Sequence, residues 1–589
     1  MGHPSEDRIH LAPFLKDLRA YTWGTFRMDL QAGLTVAVFA VPQVMAYAIL
    51  AGLPPTYGLY AAITTAAIAA LWGSSPYVNT GPTNSAALLT AGALAAFAGD
   101  PDFLGIVFFF TLLTGLIRMA LGLLRLGNLI DFVPESAFLG FTMGAGVLIG
   151  LGQFHHLLGV EASSNAWFPG RIWDTLARFP EANPYALSIG LGTAVLLLAL
   201  ERYNRYFPVA LGVIGLGTLG AWLWAEGKLT LVRDVSPIPR QLPHWELPAL
   251  RFDLLDELLP GAMAVALLGL IEAVSIGQTL ALKRGERLNF NQEFFGQGLS
   301  HVVAAFFQGI PGSGSFSRSA LIEQAGGQTR FANVAYAAWI ALAVLTIAPL
   351  LERIPIASLA GLLLYIGYRL IDLRRLKQTW AISRSDTLVL GITFLVTVGY
   401  RIELGIFSGL LVALIMFLRR ARILHLFELL PQQGGSFAEV SYLPDRTHEP
   451  SGLVALGVYG DLFFAVAQEL RTQLQQIVEL QKPRVIVLRT RGARSIDYSC
   501  WNALFEFATY FHRRGGRLVL VGLREDYWRI IRDAGMDSVL PPQQLYPAGH
   551  SLLASFQGAL RDWLPRVDAE TLSPAWRAYR DALVASTTS

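Results

Sequence analysis

Long apolar segments separated by short polar turns fill the chain from about residue 30 to about residue 420. Between Leu30 and Gly99, no Asp, Glu, Lys, Arg or His interrupts the apolar pattern. A membrane-spanning helix needs about 20 apolar residues, so this stretch alone predicts several spans. About fourteen such segments are predicted, and they begin near residues 30, 57, 78, 103, 132, 184, 207, 258, 290, 314, 332, 355, 386 and 403.

A different pattern begins at about residue 450, where short apolar strands alternate with amphipathic helices. Alternation at this spacing is typical of a small α/β domain. The predicted strands cover Leu453–Val458, Arg484–Leu488 and Arg517–Gly522, and the predicted helices cover Asp461–Leu480, Ser499–Arg513 and Asp526–Ala534.

The two patterns together predict five regions along the chain. The basic run Arg419–Arg422 closes the apolar part, as a cytoplasmic flank does. The regions are a cytoplasmic N-terminal segment (1–29), a transmembrane domain (30–422), a polar linker (423–449), the α/β domain (450–565) and a C-terminal tail (566–589).

Composition supports an integral membrane protein, because 53% of the residues are hydrophobic and only 15% are charged. The formal net charge of +3 is too small to indicate a nucleic-acid partner. Cys500 is the only cysteine, which excludes an intramolecular disulfide. We find no catalytic Ser/His/Asp set, no phosphate-binding loop of the Walker type and no metal-ligand cluster. The sequence therefore predicts neither an enzyme nor a cofactor.

Basic residues are concentrated in the loops that an N-terminus in the cytoplasm would place on the cytoplasmic side. Lys283, Arg284, Arg330 and Arg374 are among them, whereas the opposite side carries the acidic turn Asp100–Asp102. This bias predicts cytoplasmic termini. We expect the plasma membrane as the location, which is the inner membrane in a Gram-negative cell.

Two of the predicted spans are interrupted by Gly, Pro and small polar residues. They are Pro76–Leu89, the third segment of the first seven, and Gly309–Leu321, the third of the second seven. Paired interrupted spans in corresponding positions of two halves indicate the binding site of a transporter and a 7+7 inverted repeat. The alternative is two ordinary helix kinks.

Arg318 stands in the second interrupted span, and no Asp, Glu, Lys or other Arg occurs between Glu293 and Arg318. An arginine at membrane depth costs about 2.5–3.5 kcal/mol, so a function for it is expected. A helix beginning near Ser315 would present free N–H groups, with Arg318 in its first turn. This combination predicts a site for an anion.

Glu272 is the only charged residue between Leu258 and Leu282. Burial disfavours the ionised carboxylate, which suits proton coupling. The alternative is a structural partner that neutralises Arg318. Sodium coupling needs several oxygen ligands. Ser275 offers one and Ile276 offers none, although backbone carbonyls of interrupted helices are a further source.

Gln43 and Tyr47 are four residues apart and share one face of the first helix. They are interpreted as polar lining of the site or as interhelical hydrogen-bonding groups. In the α/β domain, Asp497 and Ser499 precede the second helix. Either side chain could cap that helix, or Ser499 could be a regulatory phosphorylation site.

Four motifs resemble the SulP anion transporters, whose transmembrane domain is joined to a cytoplasmic STAS domain. The resemblance covers about Asp29 to Met536. The motifs are Val41–Tyr60, Thr80–Thr83, Asn291–Gly298 and Gly314–Ser319.

The resemblance implies a core domain that carries the anion in an elevator motion against a gate domain. It implies a homodimer, and it leaves open a cytoplasmic partner for the STAS domain. It places the anion between the third and tenth helices and assigns Glu272 to cation coupling, with Ile276 favouring protons over sodium. The implied anion pocket consists of Gln43, Tyr47, Thr83, Asn84, Ser317 and Arg318.

These features predict a proton-coupled secondary transporter of a small oxyanion. Sulfate is the first expectation, followed by bicarbonate and C4-dicarboxylates. The alternatives are an uncoupled anion exchanger or channel, a sodium-coupled bicarbonate transporter and a membrane-anchored signalling protein with STAS output. A nucleobase carrier is disfavoured, because an uncharged base would not require Arg318.

Overall fold

The chain folds as two compact units that divide between Ala413 and Leu414 in this computed structural model. The structure describes residues 9–163, 165, 168–201, 209–225, 227–432, 436–442, 450–533, 535–549, 551 and 553–588. Residues 433–435 and 443–449 of the predicted linker and Ser589 of the predicted tail lie outside the described residues, as do the first eight residues.

The described residues of the first unit form helices and two short strands, and its last helix, Ile402–Ala421, continues past the division into the second unit. Its helices are α1 (Phe14–Arg19), α2 (Trp23–Leu50), α3 (Pro55–Trp72), α4 (Asn84–Leu94), α5 (Phe103–Leu123), α6 (Glu135–Gly152), α7 (Phe154–Leu158), α8 (Phe168–Ala177), α9 (Pro184–Glu201), α10 (Val209–Trp224), α11 (Val232–Val235), α12 (Leu255–Arg284), α13 (Phe290–Phe306), α14 (Phe316–Gln324), α15 (Phe331–Leu351), α16 (Ile356–Leu370), α17 (Leu373–Ile382), α18 (Arg384–Gly399) and α19 (Ile402–Ala421). The strands are β1 (Thr80–Gly81) and β2 (Ser313–Gly314).

A helix begins within three residues of twelve of the fourteen predicted starting positions, whereas α2 begins at Trp23 and α4 begins at Asn84, after β1. Seven helices among the described residues are long and apolar enough to cross a membrane, and three apolar helices are shorter. The helical membrane architecture is thus confirmed, whereas the number of spans and the 7+7 repeat stay predictions. The seven are Trp23–Leu50, Phe103–Leu123, Glu135–Leu158, Phe252–Arg284, Phe331–Leu351, Ile356–Ile382 and Ile402–Ala421.

The helices of this unit pack in two groups. In the first group, α2, α3, α5, α12, α13 and α15 pack against one another, and α4 and α14 pack against α2 and α12. In the second group, α16 packs against α6 and α9, α18 packs against α6, and α10 packs against α9. The interrupted spans therefore lie within the first group.

The second unit is built on a six-stranded sheet with the order β4-β3-β5-β6-β7-β8. Strands β5 to β8 run parallel, and β3 pairs antiparallel with β4 and β5. Its elements are β3 (His425–Pro431), β4 (Phe437–Ser441), β5 (Leu453–Leu462), α20 (Phe464–Gln481), β6 (Val485–Ile496), α21 (Tyr498–Arg513), β7 (Arg517–Leu523), α22 (Glu525–Asp533), β8 (Leu545–Pro547), α23 (Ala554–Trp563) and α24 (Pro574–Thr588).

The three predicted strands and three predicted helices of this unit are present, and each side of the sheet carries its own apolar core. Strands β3 and β4 fall inside the segment predicted as linker. They form because residues 425–431 and 437–441 find backbone partners at the edge of the sheet, next to β5. Helix α2 also begins earlier than expected, since the Thr22 hydroxyl caps it.

Candidate functional site

The two interrupted spans meet through a short antiparallel ladder. Thr80 pairs with Gly314 and Gly81 pairs with Ser313. A Cβ atom at Gly312 would lie 2.2 Å from the carbonyl oxygen of Gly81, so this approach requires glycine. The glycines that interrupt the second span thus allow the backbones of two segments that are far apart in sequence, around Gly81 and Gly312, to touch.

A helix begins directly after each strand. Thr83 caps α4 by accepting a hydrogen bond from the Ala86 N–H, and Ser315 caps α14 by accepting one from the Arg318 N–H. The predicted helix start near Ser315 agrees with this cap. Because the first N–H groups of a helix lack intrahelical partners, the ladder brings two positive helix ends to one place.

Arg318 is fully buried in the first turn of α14. Its Nε donates to Asn79 Oδ1 at 2.7 Å. Its Nη1 donates to the Pro82 carbonyl at 3.0 Å and to Gln43 Oε1 at 3.4 Å. The guanidinium therefore joins α14 to α2 and to the interrupted segment before α4.

The Nη2 atom of Arg318 is buried, and no described residue accepts a hydrogen bond from it. Gly81 lies beside this atom, and a Cβ atom placed on Gly81 would be 3.1 Å from Arg318 Nη2. A buried donor without an acceptor is costly, and a cationic donor pairs most strongly with an anionic oxygen. The arrangement can thus bind an anion without displacing the existing partners of Arg318.

Tyr47 and Gln43 occupy the buried face of α2, as their spacing predicts. Gln43 contacts Arg318, and Tyr47 lies close enough to both Arg318 and Glu272 to interact with their charges. Pro42 stands inside the helix just before them. The structure therefore brings Gln43, Tyr47 and Arg318 together.

Glu272 accepts hydrogen bonds from the hydroxyl groups of Ser85 and Ser313, one from each interrupted span. The Ser313 hydroxyl lies 2.8 Å from that of Thr83. No ion pair joins Glu272 to Arg318, although both residues are described, so the expected structural pairing of the two is not found. The carboxylate instead connects the two spans to α12.

The remaining predicted pocket residues lie at the helix starts. Asn84 is the first residue of α4, and its Oδ1 accepts from the Ser85 hydroxyl at 3.4 Å. Ser317 is exposed on the first turn of α14, with its hydroxyl 3.3 Å from that of Ser315. Neither side chain contacts Arg318 within the described hydrogen bonds.

Asn79 is a site residue that the sequence reasoning missed. Its amide nitrogen donates to Asn333 Oδ1 at 2.8 Å, and its backbone N–H donates to the Ser319 hydroxyl at 2.8 Å. It thereby holds the Arg318 partner oxygen in position. Its place in the polar run Pro76–Leu89 is the sequence feature that could have indicated it.

Arg118 is the second residue that was missed. It is fully buried in α5 and is the only charged residue of that helix. The argument applied to Glu272, a lone charge in an apolar span, would have found it.

In the second unit, Asp497 caps α21 by accepting from the Cys500 N–H at 2.9 Å. Ser499 is half-buried in the first turn. Burial, together with the neighbouring Asp497 carboxylate, raises the pKa of the Cys500 thiol to about 12. These two predicted regulatory residues belong to the C-terminal unit and form a region separate in sequence from Arg318 and Glu272.

Comparisons with known proteins agree with this architecture. The chain is 28% identical over 535 residues to the putative sulfate transporter YvdB of Bacillus subtilis, covering 90% of this chain and 97% of that protein. The structure of the murine Slc26a9 anion transporter in its inward-facing state superimposes with a TM-score of 0.83 at 20% identity, covering 93% of this chain and 94% of that one. The latter likeness establishes the fold.

The transmembrane domain of the cyanobacterial bicarbonate transporter BicA is similar as well. It superimposes with a TM-score of 0.58 at 27% identity and covers 67% of this chain and 98% of that one. The C-terminal unit matches the STAS domain over residues 446–551. The expected domain types are thus confirmed, and the relatives are transporters, not enzymes.

The sulfate permease family matches residues 26–393, the part that holds the paired interrupted spans and Arg318. This match spans well over half of the 589 residues. The chain therefore belongs to the sulfate permease family of membrane anion transporters.

Proposed function

We propose that this protein is a secondary active transporter of a small oxyanion, with sulfate as its first substrate. The observation that carries the proposal is the buried Nη2 of Arg318, a cationic donor without an acceptor beside two helix N-termini. An oxyanion would satisfy this donor and would be stabilised by both helix ends.

Sulfate is favoured by the family and by the similarity to YvdB, a putative sulfate transporter. Bicarbonate is the second candidate, because the transmembrane domain is similar to that of the bicarbonate transporter BicA. Sulfate is tetrahedral and divalent, whereas bicarbonate is planar and monovalent. One guanidinium and two helix ends suit either shape, so competition between the two anions is the deciding measurement.

Proton coupling through Glu272 is the second part of the proposal. Its carboxylate accepts from Ser85 and Ser313, which belong to the two interrupted spans. Protonation would convert one acceptor oxygen into a donor and would oblige at least one hydroxyl to turn. The proton would thus alter the hydrogen bonds that join α4 and β2, directly beside the helix ends that face the anion.

Sodium is less favoured as the coupled ion. A sodium site needs several oxygen ligands, and the buried Ile276 one turn after Glu272 supplies none. Ser275 is exposed at that level of α12.

An elevator motion is the form of transport that the packing supports best. Helices α2, α4, α12 and α14 carry all the proposed anion and coupling residues, and they belong to one packed group. A rigid shift of this group against the group around α16 would carry the intact site across the membrane. We also propose a homodimer, on the family resemblance alone, and cytoplasmic termini in a plasma-membrane protein, on the distribution of the basic residues.

The test is uptake of labelled sulfate into proteoliposomes, with unlabelled sulfate, bicarbonate, C4-dicarboxylates and uracil as competitors. We expect sulfate to compete best and uracil not at all. An inward proton gradient should accelerate uptake, and Glu272→Gln should abolish this response, with the exposed Glu286→Gln as the control. If uptake by the unsubstituted protein does not depend on the proton gradient, proton coupling is refuted. If bicarbonate competes better than sulfate, bicarbonate is the preferred substrate.

A further inference from the structure

A second buried guanidinium, that of Arg118, lies in the same helix group as the candidate site, and the proposed function does not use it. Arg118 is the only charged residue of α5 and is fully buried. Its Nη2 donates to the Val265 carbonyl at 2.8 Å and its Nε donates to the Ala266 carbonyl at 3.3 Å. Both carbonyls belong to α12, the helix that carries Glu272. Arg118 is therefore a fixed charge placed against the coupling helix.

The approach of Arg118 to α12 depends on Gly269. A Cβ atom at this position would lie 1.9 Å from Arg118 Nη2 and 3.1 Å from the Ser313 Cβ. The guanidinium and Ser313 therefore both lie against the same glycine. The Ser313 hydroxyl donates to Glu272. Arg118 is therefore linked to the Glu272 carboxylate through Gly269 and Ser313.

His301 of α13 holds the other side of the guanidinium. Its Nε2 accepts from the Gly312 N–H at 2.9 Å, and its Nδ1 lies 2.7 Å from the Gln297 carbonyl. These partners assign the neutral tautomer with the proton on Nδ1. The arrangement leaves Arg118 as the positive charge of the pair.

The position of Arg118 Nη1 shows how the guanidinium contacts the imidazole. Nη1 lies 3.2 Å from Nδ1 and 3.1 Å from Nε2 of His301. In the ring plane such a position would collide with Cε1, so the guanidinium lies over the face of the ring. No carboxylate forms an ion pair with Arg118 within the described part of the chain, so no direct contact neutralises its charge.

The charged and titratable groups of the site that holds Glu272 come from four elements. Arg118 lies on α5, His301 on α13, Arg318 on α14 and Tyr47 on α2, whereas α4 and β2 contribute serine and threonine hydroxyl groups. Of the two arginines, Arg118 is the one with described hydrogen bonds to α12, the helix that carries Glu272. Arg318 is held by Asn79, Pro82 and Gln43 instead.

We propose that Arg118 is a positioning residue for the coupling step, whose buried charge, held by α12 and His301, sets how tightly Glu272 retains its proton. The inference rests on the proposed proton coupling. A nearby positive charge favours the ionised carboxylate, so Arg118 eases proton release after transport. The neutral His301 orients this charge without adding another.

The experiment is a pH titration of the reconstituted protein by infrared spectroscopy, following the protonated-carboxyl band that disappears in Glu272→Gln. Uptake of labelled sulfate at equal internal and external pH is measured in parallel. In Arg118→Gln, loss of the positive charge should move both midpoints upward by about one pH unit. Arg118→Lys keeps a charge and should return them towards the original value, and Arg118→Met replaces the glutamine variant if that protein does not fold.

The outcomes separate the inference from the function on which it rests. An upward shift in the neutral variants with recovery in Arg118→Lys supports the role of Arg118. Unchanged midpoints in the neutral variants overturn that role, while a Glu272-dependent titration in the unsubstituted protein retains proton coupling. Absence of any Glu272-dependent titration in the unsubstituted protein overturns proton coupling and the inference with it.

Discussion

Arg118 and Arg318 are both fully buried in the transmembrane unit, but their surroundings differ. Arg118 finds acceptors on α12 and lies against His301, so each of its nitrogen atoms has a neighbour. Arg318 keeps a buried Nη2 that finds no acceptor among the described residues. Burying the charge is costly for both residues, but only Arg318 has an unsatisfied donor, and only that donor indicates a ligand.

The glycines beside the two arginines show the same difference. A Cβ atom at Gly269 would overlap Arg118 Nη2 at 1.9 Å, so that guanidinium fills the space that the glycine leaves. A Cβ atom at Gly81 would come only to 3.1 Å from Arg318 Nη2. The first glycine admits a structural contact, and the second leaves room beside a free donor.

The largest effect is expected when Arg118 is truncated. Arg118→Ala removes a large buried side chain and its bonds to α12, and should lower the free energy of unfolding by about 4 kcal/mol. Thermal unfolding in detergent measures it, with the exposed Arg353→Ala as control. If Arg318→Ala destabilises the protein equally, the distinction between an arginine with satisfied donors and one with a donor left for a ligand fails.

Gly312→Ala should follow closely. Its Cβ would lie 2.2 Å from the Gly81 oxygen and 2.4 Å from the Gly81 carbonyl carbon, and neither backbone atom can yield as a side chain can. We expect a loss of about 3 kcal/mol, because the two strands must separate. Gly391→Ala is the matched control, since a Cβ there meets nothing within 4 Å. Unfolding midpoints that agree for the two variants would show that the ladder is dispensable.

Arg318→Ala should weaken sulfate binding about 100-fold, because a buried charge-assisted contact contributes roughly 2–5 kcal/mol. Stability should change less than in Arg118→Ala, since one donor of Arg318 already lacks a partner. Protection of the purified protein by sulfate against thermal unfolding measures the affinity. Affinity that survives the substitution would remove Arg318 from the anion site.

The smallest effect is expected for Gly81→Ala. The added methyl group would partly cover Arg318 Nη2 without touching backbone atoms closely, so sulfate affinity should fall roughly fivefold, about 1 kcal/mol, while the unfolding midpoint stays nearly constant. The same ligand-protection assay applies, and Gly99→Ala, with nothing within 4 Å, is the control. Unchanged affinity would mean that the anion approaches Arg318 from another side.

Local patterns were enough to predict most of the helices and the alternating core of the STAS domain. Apolar periodicity is a property of neighbouring residues, and caps such as Ser315 and Asp497 act within one helical turn. The strands β3, β4 and β8 were not predicted, because strands at or next to the two edges of a sheet are stabilised by the sheet, which forms elsewhere in the chain.

The candidate site was predicted only in part. Single charges and polar pairs in apolar spans drew attention to Gln43, Glu272 and Arg318, since charge burial is expensive wherever the partner lies. The partners themselves were not predictable. Asn79 meets Arg318 across 239 positions, and Ser85 meets Glu272 across 187.

The sequence by itself determined that apolar segments must leave water, that two of them are interrupted, and that an arginine and a glutamate are buried among them. Hydrophobic burial and the cost of buried charge impose these features locally. Only the tertiary structure decided that Glu272 bridges Ser85 and Ser313 instead of pairing with Arg318, and that Arg118 is satisfied whereas Arg318 is not. Hydrogen bonds depend on positions to within a fraction of an ångström, and these are set by packing between distant helices.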